Sequence, residues 1–139
     1  MLTLLLQTGL LVVAHGANPA WNAKVHETVA QVQWDGPVAT AFLMGSEMHD
    51  GGWNAGITKL VDAGVKQIVV VPLMVSSAGE HYEQVRFYAG EIPTLPKALA
   101  AHSHGEPTKS PVPIVVTSAL DGAPELSARL LDRWATLPA

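Results

Sequence analysis

Residues Gly9–Gly16 read GLLVVAHG. Six apolar residues, two of them β-branched, end abruptly on a histidine and a glycine. An apolar run without polar alternation fits a strand covered on both faces, as in a parallel α/β sheet. Three further runs share this character: Val38–Leu43 (VATAFL), Gln67–Leu73 (QIVVVPL) and Val112–Thr117 (VPIVVT).

Helical periodicity fills the intervals. Trp21, Val25, Val29 and Val32 form a first stripe, with Asn18 as its N-cap and Pro19 at the first helical position. Trp53, Ile57, Leu60 and Val61 form a second, which Gly64 closes. A third helix begins near Ser77, where Ser77 and Glu80 have capping-box spacing. Leu126, Leu130, Trp134 and Leu137 form the fourth. The alternation β-α-β-α-β-α-β-α predicts an α/β fold: a four-stranded parallel sheet with helices on both faces. Pro93–Pro111 is a long proline-rich connection with room for a short helix around Leu95–Ala101.

The 139 residues suit one domain, residues 1–139, with a short lead over 1–8 and the long loop over 93–111. Met1–Ala14 is apolar enough to suggest a signal peptide. It lacks a basic residue before the apolar part, and Gln7, Thr8 and Gly9 interrupt it, so a buried first strand is the better reading. The stretch is too short to span a bilayer. A net charge of −4 with no basic run argues against a nucleic-acid partner. The absence of cysteine excludes disulfides, thiolate metal sites and a cysteine nucleophile, and fits a reducing, cytoplasmic setting. Any metal must be held by histidine, carboxylate, backbone or water.

In doubly wound sheets, ligands bind beyond the carboxyl ends of the strands, where strand order reverses. His15 stands directly after the first strand, and Gly16 leaves its imidazole uncovered. His81 follows the third strand, in the first turn of the next helix. A strand order of 2-1-3-4 would make these two loops neighbours. One such histidine alone is ordinarily a hydrogen-bonded loop residue. Two at one edge form a constellation, and a neutral imidazole is the form that binds metal.

Several stretches together resemble a known family: LLVVAHG (Leu10–Gly16), AFLMGSE (Ala41–Glu47), IVVVPLMVSSAGEHYEQVRFYAG (Ile68–Gly90) and TSALDGAPELSARLLDRW (Thr117–Trp134). They are similar to the class II tetrapyrrole chelatases, nearest the sirohydrochlorin cobaltochelatases and ferrochelatases of the CbiX and SirB type, in their short single-half form. The resemblance implies a flavodoxin-like chelatase half-domain with strand order 2-1-3-4. It implies that His15 and His81 bind an incoming Co²⁺, Fe²⁺ or Ni²⁺, which is substrate and not a tightly bound cofactor. It also implies a tetrapyrrole held above the sheet, a cytoplasmic enzyme of cobalamin or sirohaem biosynthesis, and a homodimer with no nucleic-acid or membrane partner. Insertion removes two pyrrole protons, which a histidine or carboxylate accepts. Relatives often carry a carboxylate directly after Phe-Leu. Here Met44 stands there, and Glu47 is the nearest acid for a third ligand or base. Ala78 occupies a place where part of the family has histidine.

Other residues invite blander readings. His102 and His104 suit a solvated loop, though a loop folded over the cleft would let them deliver metal. His49 lies after the second strand, and Asp50 suits the cap of the second helix. His26 and Glu27 suit a solvent-facing position beside the first stripe. Asp121 suits a turn before Pro124. Ser76 and Ser77 lack a nucleophile elbow. Trp21, Trp34, Trp53 and Trp134 suit packing. Lys24, Arg86, Lys97 and Lys109 are the basic residues placed to meet substrate carboxylates. Two competing functions remain: a non-catalytic metal or tetrapyrrole binding module, and phosphate transfer through His15. The second lacks the arginine that ordinarily precedes such a histidine, since Ala14 stands there.

Overall fold

The computed structural model describes residues 7–101, 106–107 and 109–138. Its centre is β1 (Thr8–Ala14), buried at all seven positions. β2 (Val38–Phe42), β3 (Gln67–Pro72) and β4 (Ile114–Val116) complete a parallel sheet of order β2-β1-β3-β4. Both the parallel sheet and the 2-1-3-4 order expected from the sequence are present.

Register assigns the two faces. Leu11 lies opposite Ala39 and Val70, and Val13 opposite Ala41 and Pro72. These residues, with Ile68, point to the face covered by α3 (Trp53–Asp62) and α4 (Glu80–Tyr88), which contribute Trp53, Ile57, Leu60 and Val85 to the main core. The alternate residues point the other way. There Ala14 and Phe42 pack with Val25 of α1 (Pro19–Val29). Helices on both faces explain why β1 is continuously apolar.

Several expected details are corrected. The α1 stripe is wrong at its ends: Trp21 is 42% and Val32 41% exposed, and Val32 lies beyond the helix. The helix turns Asn22 and Val25 inward instead. Asp50 does not cap the second helix. Residues Met48–Gly51 form their own short α2, so the chain enters α3 from Gly52. Ser77 does not cap α4, whose N-cap is Gly79. β4 is three residues long, not six. It pairs only with β3, and Pro111 and Pro113 remove donors just before it. A short helix, α5 (Lys97–Ala100), does lie in the long connection. Leu126, Leu130 and Trp134 of the fourth stripe lie on α6 (Pro124–Ala135), which has no buried residue, and Leu137 lies beyond it. Of the tryptophans only Trp53 is buried, and its Nε1 lacks a hydrogen-bond partner among the described residues. Trp34 reaches back to donate to the Thr8 carbonyl at 2.9 Å. His102 and His104 lie outside the described residues.

The sheet continues past its strand ends. Leu43 N–H donates to the Ala14 carbonyl at 3.1 Å, Met44 N–H to His15 at 2.9 Å, and Ser46 N–H to Ala17 at 3.0 Å. This closeness needs glycine. Gly16 has φ +86°, and a Cβ there would overlap the Met44 carbonyl; Gly45 lies against Ala17 in the same way. Gly64, at φ +80°, has open space around it. Gly64→Ala is therefore expected to cost only the left-handed penalty of about 1–2 kcal/mol. Gly16→Ala adds overlap with backbone and is expected to cost more. Urea midpoints of the two variants check the ranking.

Candidate metal centre

The two histidines singled out in the sequence meet. His15 follows β1 directly, and His81 is the second residue of α4. Because β1 and β3 are hydrogen-bonded neighbours, the loops leaving them lie side by side. The imidazole centroids are 4.5 Å apart, with ring planes at 84°. Two imidazoles sharing one ion at about 2.0–2.1 Å per nitrogen have centroids about 4.5–5 Å apart, so the spacing suits a shared metal. His15 is exposed and His81 half-buried, which leaves the pair open to an arriving ion.

The tautomer of His15 follows from its partner. Nδ1 lies 2.8 Å from the Gly16 carbonyl oxygen, which can only accept. Nδ1 thus carries the hydrogen, and Nε2 keeps the lone pair a metal needs. His81 Nδ1 lies 3.1 Å from Gln84 Oε1.

Buried and exposed polar groups fasten both loops. Asn22 is fully buried; its Oδ1 accepts from Ala17 N–H at 2.9 Å and its Nδ2 donates to Ser46 Oγ at 3.4 Å. It ties the His15 loop to α1 and to the β2 loop. On the other side, Asp121 accepts from Ser77 N–H and Ser77 Oγ, both at 2.7 Å. Ser77 Oγ also accepts from Ala119 N–H at 2.9 Å, and Tyr82 Oη donates to the Thr117 carbonyl at 2.9 Å. The loop leading to His81 is thereby clamped to the loop after β4. The Ser77 hydroxyl, followed by its backbone N–H, holds the Asp121 carboxyl below its ordinary value.

Glu47 does not join the histidines. Its carboxylate is 2.7 Å from His26 Nε2, and that hydrogen bond is the main cause of a lowered carboxyl pKa. His26, exposed as expected, also stacks edge-on to Phe42 at 5.3 Å. Among the described residues no cluster of three metal-binding side chains forms. Lys24 and Arg86 are engaged with Glu27 at 2.8 Å and Glu91 at 3.1 Å. A cavity of about 160 Å³ opens beside Trp53, His49 and Tyr88, but neither His15 nor His81 lines it. It is smaller than the roughly 300 Å³ at which ligand pockets begin, so it does not seat a tetrapyrrole. Asn22 and Gln84 escaped the sequence reading. Asn22 sits beside a tryptophan that looked like the packing residue. Gln84 stands three residues after His81, and that spacing on one helix face was the available signal.

The profile of the CbiX family matches residues 9–137. No curated protein matches the chain. Among solved structures, the chain is similar to one from Marinobacter aquaeolei VT8 that carries the name of a CbiX protein of cobalamin (vitamin B12) biosynthesis. The two share 20% identity at a TM-score of 0.62, over 92% of this chain and 94% of that one. At that identity the likeness speaks to the fold. Among the described residues no helix is long and apolar enough to cross a membrane.

The Asp121 clamp carries a pH signature. A carboxyl whose folded pKa is lowered stabilises the fold above its unfolded value, and that contribution disappears as pH falls through the folded value. Wild type is expected to melt above Asp121→Asn at neutral pH, with the gap closing below about pH 4. Melting temperatures of both proteins across that range check this.

Proposed function

The chain belongs to the CbiX family, and from that premise we propose that it is a chelatase inserting Co²⁺ or Fe²⁺ into sirohydrochlorin or a related tetrapyrrole. The observation that carries the reading is the pair of imidazoles 4.5 Å apart at the carboxyl edge of the sheet. Two nitrogen ligands suit Co²⁺, Ni²⁺ or Fe²⁺. A two-ligand hold also suits cargo, because the remaining coordination positions stay open to the pyrrole nitrogens. Insertion replaces two N–H protons by one divalent ion and releases both protons. Imidazoles freed as the metal leaves are the nearest bases. Glu47, on the loop after β2, is the second candidate acceptor, and its bond to His26 makes it the weaker base.

A binding module that stores or hands on the metal is the second reading. The absence of a third metal-binding side chain near His15 and His81, among the described residues, favours it. One assay separates the two. The protein is mixed anaerobically with sirohydrochlorin and Co²⁺, and the absorption spectrum is followed. A chelatase raises the rate above the spontaneous reaction. His15→Ala and His81→Ala are each expected to lower that rate by more than the roughly 10-fold that loss of an outer-shell partner costs. Co²⁺ binding with no acceleration leaves the module. Unchanged Co²⁺ affinity in both variants removes the metal site.

A homodimer belongs to the same proposal. On this reading the tetrapyrrole lies across the edge that carries His15 and His81, and a second copy would close it. The exposed face of α6 supports pairing: Leu130, Leu131 and Trp134 are 60%, 70% and 76% exposed on one amphipathic helix. Light scattering after size exclusion is expected to give a dimer mass for wild type and a monomer mass for the double variant Leu130→Asp, Trp134→Glu. A wild-type monomer would end the pairing proposal.

A further inference from the structure

We infer that Gln84 is a positioning residue that sets which nitrogen of His81 faces the metal. The inference rests on the metal reading of the histidine pair and deepens it. Gln84 lies one turn after His81 on α4 and is 5% exposed. Its Oε1 is 3.1 Å from His81 Nδ1, and its Nε2 donates to Tyr88 Oη at 3.1 Å. The tilted ring of Trp53 packs on Tyr88, with centroids 5.6 Å apart. His81, Gln84 and Tyr88 therefore form one line along a single helix face, anchored at its far end by a buried tryptophan.

The chemistry of the amide does the rest. An amide oxygen only accepts, so the bond to His81 exists only if Nδ1 carries the hydrogen. Nε2 is then a bare lone pair. His15 reaches the same state through the Gly16 carbonyl. Both rings thus offer the same nitrogen, each with its other nitrogen held by an acceptor, the arrangement by which outer-shell groups orient metal-binding histidines. Tyr88 matters because it holds the far end of the amide: its phenol oxygen accepts from Nε2 and leaves Oε1 for the imidazole. An amide turned over would press its NH₂ on a bare Nδ1. The hydrogen would then sit on Nε2, closed to metal.

The test reads the tautomer directly and without metal. Long-range ¹H–¹⁵N correlation of histidine-labelled wild type, with the imidazole neutral, is expected to place the hydrogen of His81 on Nδ1. Gln84→Met keeps the bulk and removes the acceptor. It is expected to give a mixed tautomer and about 10-fold weaker Co²⁺ binding. Gln84→Glu restores an acceptor and is expected to restore the Nδ1 signal and the affinity. Tyr88→Phe frees the amide and is expected to fall between. An Nε2 hydrogen on His81 in wild type overturns the inference, and so does an unchanged Nδ1 signal in Gln84→Met. The wild-type spectrum decides even if a variant fails to fold. Failure of wild type to bind Co²⁺ is a different result: it removes the metal reading of the pair and leaves the tautomer assignment standing on its own spectrum.

Discussion

The pairing of β1 with β3 is the interaction on which the site depends. The two strands are far apart in the chain, yet Val13 lies opposite Pro72 and the Leu73 N–H closes on the Val13 carbonyl at 2.7 Å. That bond carries the ladder to the edge where both chains turn off into loops. His15 and His81 are the next functional residues on each side. A sheet in which β2 lay between β1 and β3 would leave the two rings two strands apart, about 10 Å at ordinary strand spacing. The reversal of strand order is thus what makes the pair possible, in keeping with the general location of sites in such sheets.

Strand pairing sets the neighbourhood but not the orientation of a side chain. Orientation comes from polar groups whose own freedom is limited. The backbone ladder running from Ala14 to Ala17 holds the first loop against the second, and buried Asn22 closes it from beneath. Asp121 and Ser77 hold the third loop against the fourth. A buried polar group left without partners costs about 1–3 kcal/mol, so the bonds of Asn22 constrain its loops as firmly as packing does, while the Ser77–Asp121 contacts work at the surface. The histidines are consequently held side by side at an open surface, each ring with one nitrogen bonded.

Helix α6 carries a different lesson. The stripe of Leu126, Leu130, Trp134 and Leu137 reads as a core-facing helix, and the periodicity is genuine. Among the described residues the helix nevertheless has no buried side chain, and only Leu126 of the stripe is partly covered. Amphipathic spacing reports that a helix has an apolar face; it does not report what covers it. The same ambiguity misled the reading of α1, where Trp21 is exposed and the polar Asn22 is fully buried. Residue type ranks burial only on average. The position of Asn22 is set by the loop hydrogen bonds it alone can make. Gln84 was overlooked for a similar reason, since a glutamine on a helix ordinarily faces solvent.

What the sequence by itself determined is the alternation of continuous apolar strands with amphipathic helices, the placing of His15 directly beyond a strand end, and that of His81 in the first turn of the helix after another. Local spacing encodes these, because side-chain periodicity and strand burial are properties of neighbouring residues. What only the tertiary structure decided is everything that depends on residues distant in the chain: that Asn22 bridges two loops, that Asp121 grips Ser77, that Glu47 pairs with His26 and not with His15 or His81, and that the face of α6 lies open. Hydrogen-bond partners across separate loops are selected by distances of a few ångströms, and no local pattern in the sequence carries that information.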